Sequence, residues 1–455
     1  LDGFSAQKQR CEAIWNPFLH AIISAPIIEL YWTATGGFTT PESQPHSIPL
    51  DRIAAAVSGG QLAVLNFLRQ LASEESVPIY LVGGPVRDSV LEIPIHDLDF
   101  VVVGNAPIVA TESATNLGGT VTVHERFGTA TVEIEGDRVD IVTARKETYA
   151  FPGSLPEITP SDINDDLARR DFSINAMALS LSGESPVVID PHGGLQDLEN
   201  KTIVVLHPGS FTDDPTRMLR AVRYEQRLGF KISETTLSYL NKAVDEGHVS
   251  AVSGDRWRQE FLKIFDEDRA AEMFERAIEI GILPAIHPAL SNKASLARLV
   301  GEVGLGPSDY LAALVGDLSP LDGDAVSQRL NLPIHWARVV RDTITLKEFT
   351  PVISESATKI SNICRLLDGL DSDAIAASAW FSPDAQFATQ LRRYLDEWRI
   401  VKTALTGDDL LAMGVTPGVK IGEVLQELLS AKLDGLIGSE TEERSLVNQI
   451  ISQGS

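Results

Sequence analysis

The period of the apolar residues changes once along this chain, near Leu206, and that change restricts the available architectures more than any other feature. Before it, from about residue 78, β-branched runs recur: "IYLVGG", "DLDFVVVG", "GTVTVHERFGTATVEIEGDRVDIVTAR", "PVVID" and "TIVVL". Such runs have the period of strands, and Gly136-Asp137 supplies a hairpin turn. Helical patches separate them at Ala54–Glu75, Val86–Glu92, Ile108–Leu117 and Ser173–Leu181. Beyond Leu206 almost every segment has helical period, as in "DPTRMLRAVRYEQRLGF", "DRWRQEFLKIFD" and "AAEMFERAIEIGIL". The expected fold is a compact α/β unit with a mixed sheet, followed by an all-α remainder. A chain of 455 residues exceeds one core and should divide into about two to four units.

Composition narrows the class. The apolar fraction of 44% and charged fraction of 22% suit a globular protein. Two cysteines, Cys11 and Cys364, lie far apart, which excludes a disulfide scaffold and a CxxC knuckle and fits a reducing cytoplasm. The apolar stretch "NPFLHAIISAPIIELYWTATGG" is interrupted by His20, Pro26 and Glu29, with no basic segment directly before it. No membrane span or signal peptide is expected there, and residues 1–45 read as an N-terminal extension or a misplaced start. A net charge of −25 argues against broad nucleic-acid binding, so any such partner must meet a local cluster of Arg and Lys.

The segment "LVGGPVRDSVLEIPIHDLDF" carries the first chemistry. Asp97 and Asp99 stand two apart at the head of a strand, so their side chains leave one face, and Asp140 of "RVDIVTAR" could join them from another strand. Three converging carboxylates can hold two Mg²⁺ ions, which stabilise both oxygens of an in-line phosphoryl displacement. The solvated end of an ordinary strand can show the same Asp-x-Asp pair. Gly83-Gly84, between strand and helix, permits close approach of backbone to phosphates. Arg87 can pair with a phosphate or lock Asp88. In "LARRDFSINAMAL", Arg169, Arg170 and Asp171 precede an expected helix with Ile174, Met177 and Ala178 as its apolar stripe, and Asp171 or Ser173 as cap. Asp171 and Asn175 suit hydrogen bonds to a ribose, and the arginines suit a triphosphate; a capped surface helix would show the same arginines. "DPHGGLQDLENKTI", with Asp190, Gly193, Gly194 and Asp197, reads as a tight joint.

Taken in order, GGxVRD, DxD, RRDFxxNA, DxxGGxxDL and DDPxRxxRAxR resemble the class II tRNA nucleotidyltransferases, the family of bacterial CCA-adding enzymes and poly(A) polymerases. The resemblance covers roughly Val77 to Leu283 and a patch near the C-terminus. It implies an α/β nucleotidyltransferase head like that of the polymerase-β superfamily, at residues 46–206. All-α neck, body and tail domains follow at 207–272, 273–400 and 401–455, the tail binding tRNA. The implied cofactor is Mg²⁺ held by Asp97 and Asp99, with Asp140 also catalytic. The implied partners are tRNA, CTP and ATP. Gly83, Gly84, Arg87, Arg170, Asp171, Asn175, Asp214, Arg217, Arg220 and Arg223 are the expected nucleotide-binding residues.

"FTDDPTRMLRAVRYEQRLGF" places Arg217, Arg220, Arg223 and Arg227 on about a third of a helix circumference. This is either the local basic track that the net charge demands or a solvated charged face. The resembled family reads the incoming base with the residues matching Asp214 and Arg217. A carboxylate accepts from the amino group of cytosine or adenine while a guanidinium donates to the adjacent ring nitrogen. Uracil and guanine present the opposite order and are rejected. The family usually has Glu-Asp where this chain has Asp213-Asp214, and Glu-Arg at the bracing position that is Asp255-Arg256 here.

The Pro/Gly/Ser-rich stretch after "TAR" reads as a flexible loop in which Arg145, Glu147 and Tyr149 could pivot against the template. In the family this loop is needed for the terminal A, and it looks complete. Full CCA addition is therefore expected, ahead of CC-only, A-only or poly(A) activity. A catalytically silent RNA-binding protein on this scaffold would have lost the carboxylates, and a small-molecule nucleotidyltransferase would not need the helical body. Trp336, Trp380 and Trp398 read as packing residues, and His287 and His335 lack the partners of a phosphohydrolase. In the tail, Gly414, Pro417, Gly418 and Gly422 make a helix–loop–helix that either grips a phosphate or simply turns.

Overall fold

The computed structural model describes residues 47–48, 50–75, 77–125, 128–182 and 186–453, with two further two-residue strands at Tyr31–Trp32 and Phe38–Thr39. Apart from those strands, the expectation for residues 1–45 lies outside the described residues.

A seven-stranded mixed sheet forms the head. Its strands are β1 (Ile79–Val82), β2 (Leu98–Val102), β3 (Thr120–His124), β4 (Thr129–Ile134), β5 (Asp137–Thr143), β8 (Ala178–Ser180) and β9 (Val188–Ile189), while β6 (Arg145–Thr148) and β7 (Glu157–Pro160) make a separate hairpin. The order across the sheet is β9-β8-β1-β2-β5-β4-β3. Only β2 and β5 run parallel, and their register sets Asp99 beside Asp140 and Phe100 beside Ile141. The apolar run of β2 is unbroken because both faces are covered. Phe100 and Val102 join the main core with helices α1 (Gly59–Glu74), α2 (Gly84–Leu91) and α3 (Ala106–Leu117). Val101 turns to a smaller cluster with Val82, Ala144 and helix α4 (Ile163–Ala168). Strand alternation therefore sends Asp97 and Asp99 to the Val101 side, where the sheet's end is open to solvent.

Two local expectations are corrected. The hairpin turn between β4 and β5 is Glu135-Gly136, both with positive φ (54° and 90°), not Gly136-Asp137. Asp137 instead opens β5 and accepts a hydrogen bond from the Gly60 amide at 3.2 Å. The segment Ser173–Leu181 is not a helix: a single turn at Ser173–Asn175 leads into β8. Phe172, Ile174, Met177 and Leu179 are all fully buried. With every side occupied there is no solvent face for an amphipathic helix, and pairing to β1 and β9 takes the backbone. The expected joint is tight. Asp190 accepts from the amides of Gly194 and Leu195 at 2.7 and 2.9 Å, at the start of helix α5 (Gly194–Asn200).

Past Leu206 the described chain is helical but for the two-residue strand Lys231–Ile232, which pairs back to Thr202–Ile203 at the joint. The main core is continuous from Ile48 to Trp398, whereas Leu405, Leu410, Val415, Val424, Leu428 and Val447 form a separate small core in the tail. Trp336 packs edge-on against Phe265, Trp398 lies buried beneath Arg393, and Trp380 is half exposed, so none is a free stacking platform except Trp380. Among the described residues no helix is long and apolar enough to cross a membrane.

Candidate active site

Where the sheet opens, Asp99 stands across from Asp140, with Asp97 just before β2. Burial pushes the Asp99 carboxyl up to about 6; Arg170 offsets part of this, and the like charges of Asp140 and Asp97 add to it. The side chain still reaches water through the cleft. The three acids do not converge as expected: among the described residues, no group of three His, Cys, Asp or Glu side chains is arranged to hold a metal ion. Asp140 is instead bound sideways, accepting from the Thr131 hydroxyl at 2.6 Å on the neighbouring strand. The Asp97–Asp99 pair nevertheless suits Mg²⁺, which is ordinarily held by one or two carboxylates and completes its shell with substrate phosphates and water. A carboxylate raised by burial and neighbouring acids gains most from a cation.

The Gly83-Gly84 turn does what glycine permits. Gly83 has φ 71°, and a Cβ there would lie 2.8 Å from Nη1 of Arg170, so the missing side chain is what admits this guanidinium. Arg87 takes the second of its two options. Buried, it donates to Asp88 at 2.8 Å and to the Asn175 side-chain oxygen at 2.6 Å. Asn175 in turn donates to Asp171 at 3.1 Å, and Asp171 also accepts from the Phe172 amide and from Arg220 at 2.8 Å. Burial alone would raise the Asp171 pKa, but Arg220 and Asn175 outweigh it and hold the carboxyl well below the usual range. The polar atoms expected to meet a ribose are thus already engaged with one another.

Arg169 and Arg170 both pair with Asp166, a fully buried acid that the sequence reading passed over. The signal was present, since Asp166 precedes the two arginines by three and four residues at the end of α4.

Helix α6 (Arg217–Leu228) corrects the expected basic track. Arg217 and Arg223 are only 5% exposed. Arg217 donates to the Ser210 hydroxyl and the Arg169 carbonyl, both at 2.7 Å. Arg220 pairs with Asp171, Arg223 with Glu260 and Glu267, and Arg227 with Glu267. Guanidiniums at this depth require partners, and helix α7 (Gly254–Phe265) and the turn after it supply most of them. Four arginines, including Arg87, also lie 5.2–5.9 Å from the centre of the Tyr224 ring.

Among the described residues Asp214 is held on one oxygen. Its Oδ1 accepts from the Thr216 amide and hydroxyl at 3.0 and 2.7 Å and from Arg256 at 2.7 Å. Of the Asp255-Arg256 pair it is Arg256 that contacts Asp214, while Asp255 turns away to Asn331 and Arg258. Arg256 also donates to the Gly153 carbonyl at 2.8 Å. Gly153 belongs to the stretch expected as a loop, which is the β6–β7 hairpin with its tip docked through the Gly153 amide on the Thr212 carbonyl. Glu147 gathers Arg145, Arg169 and the Tyr149 hydroxyl at 3.0–3.1 Å.

One cavity of about 510 Å³ is lined by Gly83, Gly84, Asp99, Glu147, Tyr149, Arg170, Asp171, Asn175, Asp214, Arg217 and Arg220. Of the other expected residues, Asp97, Asp140, Arg87 and Arg223 stand outside its lining, and Arg145 lines a neighbouring groove. Arg256, from the expected bracing position, lines it too, and Gln259 and Lys263 are lining residues that were not expected there.

Residues 79–204 match the family described as Poly A polymerase head domain, and residues 229–293 the probable RNA and SrmB-binding site of polymerase A. An A-adding tRNA nucleotidyltransferase of Geobacter sulfurreducens is 31% identical over 405 residues, 84% of this chain but only 46% of the relative, so the chain spans about half that protein's length. The A-adding tRNA nucleotidyltransferase of Halalkalibacterium halodurans is 31% identical over 416 residues, 86% of this chain and 93% of the relative. The structure of the Thermotoga maritima CCA-adding enzyme complexed with tRNA superimposes with a TM-score of 0.73 at 29% identity, over 90% of this chain and all of that one. With 31% identity reaching over 93% of the Halalkalibacterium relative, and the Thermotoga enzyme's fold matched along its whole chain, this chain belongs to the class II tRNA nucleotidyltransferase family.

Proposed function

We propose that this chain transfers CMP and AMP from CTP and ATP onto the 3′ end of tRNA without a nucleic-acid template, completing CCA. The 3′-hydroxyl of the RNA attacks the α-phosphate, the bond to the β-phosphate bridge breaks, and pyrophosphate leaves. Asp97 and Asp99 would hold Mg²⁺, which supplies charge stabilisation on the reacting phosphoryl group. Gly83 and Gly84 offer a close backbone approach for the triphosphate, and Arg170 a nearby cation. Asp214 accepts from the amino group of C or A through the oxygen that its brace leaves unused, and Arg217 donates to the ring nitrogen. Residues 46–206 act as head, 207–272 as the neck carrying this template, 273–400 as body and 401–455 as the tRNA-holding tail.

The observation that carries the reading is that the glycine turn, Asp99, Asp214 and Arg217 line the same nucleotide-sized cavity. The intact hairpin against that cavity favours completion of CCA. A second reading, addition of the terminal A alone, is favoured by the names of the Geobacter and Halalkalibacterium relatives. One assay separates them: purified protein with Mg²⁺, each nucleotide singly and CTP with ATP, on tRNA ending at the discriminator base, at C or at CC. Full products from the shortest acceptor support CCA addition. Extension of the CC acceptor alone, by one A, supports the second reading; no extension of any acceptor refutes both.

A further inference from the structure

Asp166 is the most enclosed acid near the cavity and touches nothing in it directly. Its side chain is fully buried, and all of its partners are basic or backbone groups. Oδ1 accepts from Nε and Nη2 of Arg169 at 3.0 and 2.7 Å, and from the Arg145 amide at 3.4 Å. Oδ2 accepts from Nη2 of Arg170 at 3.0 Å. One carboxylate thus fixes two guanidiniums and the first residue of the hairpin.

The two arginines diverge from it. Arg169 reaches Glu147 with its remaining nitrogen, at 3.1 Å, and its carbonyl receives Arg217. Arg170 lies over Gly83 and beside Asp99. Its Nη1 reaches the Asn175 carbonyl only at 3.5 Å, and its Nε has no partner among the described residues. Arg169 is thus paired twice, with Asp166 and Glu147, whereas Arg170 has Asp166 as its one ion-pair partner among the described residues and is the member that faces the cavity with unsaturated donors.

We infer that Asp166 is a positioning residue for nucleotide binding: it holds Arg170 against the glycine turn as a triphosphate-facing cation, and locks the hairpin base and Arg169 to the same point. This rests on the proposed nucleotide-transfer reading. An amide in its place would retain the shape but lose the charge that keeps two guanidiniums together, so Arg170 would swing away from Gly83.

The test is a double-mutant cycle of D166N, R170Q and D166N/R170Q, with thermal melting, steady-state transfer on tRNA ending in CC, and equilibrium binding of ATP with Mg²⁺. D166N is expected to raise the KM for ATP about tenfold while kcat changes less than about threefold, and the double variant should bind ATP no worse than R170Q. A D166N protein with lowered kcat or melting temperature but wild-type KM overturns the inference, as does a double variant whose losses multiply. If D166N does not fold, D166E moves the carboxylate outward by one methylene: a KM altered at least threefold at unchanged kcat supports the inference, and an unaltered KM overturns it. Wild-type protein that binds ATP yet extends no tRNA refutes the transfer reading alone, and the ATP affinities of the same variants still decide the role of Asp166.

Discussion

Replacing Asp99 by Asn should disable transfer and, without metal, make the folded protein more stable. The Asp99 pKa rises from 3.8 to about 6 in the fold. Fully applied, that gap corresponds to about 3 kcal/mol; water in the cleft screens it, so about 1 kcal/mol is the realistic share. The sign follows from the direction of the change. Below pH 3.8 the group is protonated in both states and costs nothing. As pH rises from 3.8 through 6 the unfolded chain ionises first, so stability falls, and above 6 the full cost is present. At pH 7.5 in a chelator, D99N should therefore melt about 1 °C above wild type, the shift that such an energy gives in a cooperative unit of this size. The difference should shrink steadily as pH is lowered through 6. Added Mg²⁺ should stabilise wild type and leave D99N unmoved, because ligand that binds only the folded state of one variant raises only its melting point. Transfer should fall at least about a hundredfold, since the charge stabilisation of a bound cation is worth several kcal/mol. D99N melting below wild type in the chelator, or by a margin that does not vary with pH, would refute the reasoning.

Arg256→Ala removes two charge-assisted hydrogen bonds, to Asp214 and to the Gly153 carbonyl. The Arg256–Asp214 pair is about a quarter exposed, and the loss should be about 2 kcal/mol, a roughly thirtyfold drop in kcat/KM, with weaker rejection of UTP and GTP in single-nucleotide incorporation. Unchanged selectivity would show that the brace does not orient Asp214. Deleting Phe151 to Pro160 removes β7 and the docked tip, and should spare addition of C while abolishing addition of A. Loss of both steps together would exclude that role for the hairpin. Gly194→Ala would set a Cβ 2.3 Å from the Ser173 carbonyl oxygen and 2.9 Å from its carbon, both backbone atoms that cannot turn aside. It should cost about 1–3 kcal/mol in urea unfolding, and an unaltered midpoint would mean the joint is looser than it stands here.

The sequence by itself determined the two-part architecture, the face from which Asp97 and Asp99 emerge and the glycine turn between strand and helix at Gly83-Gly84. Each of these depends on local periodicity or on backbone freedom, which neighbouring residues encode. It also supplied the motif order that identifies the family. Tertiary structure alone decided how the charges are spent. On a helical wheel Arg217, Arg220, Arg223 and Arg227 make one basic stripe, but the fold pairs Arg220 with Asp171, Arg223 with Glu260 and Arg227 with Glu267, while Arg217 and Arg220 also line the cavity. Ser173–Leu181 looks helical until strands on both sides claim its backbone. Asp140 pairs in register with Asp99, yet a hydroxyl one strand away turns it aside. The physical reason is common to all three: the partner that satisfies a charged or polar group is distant in the chain, and burial makes finding that partner worth more than any local preference.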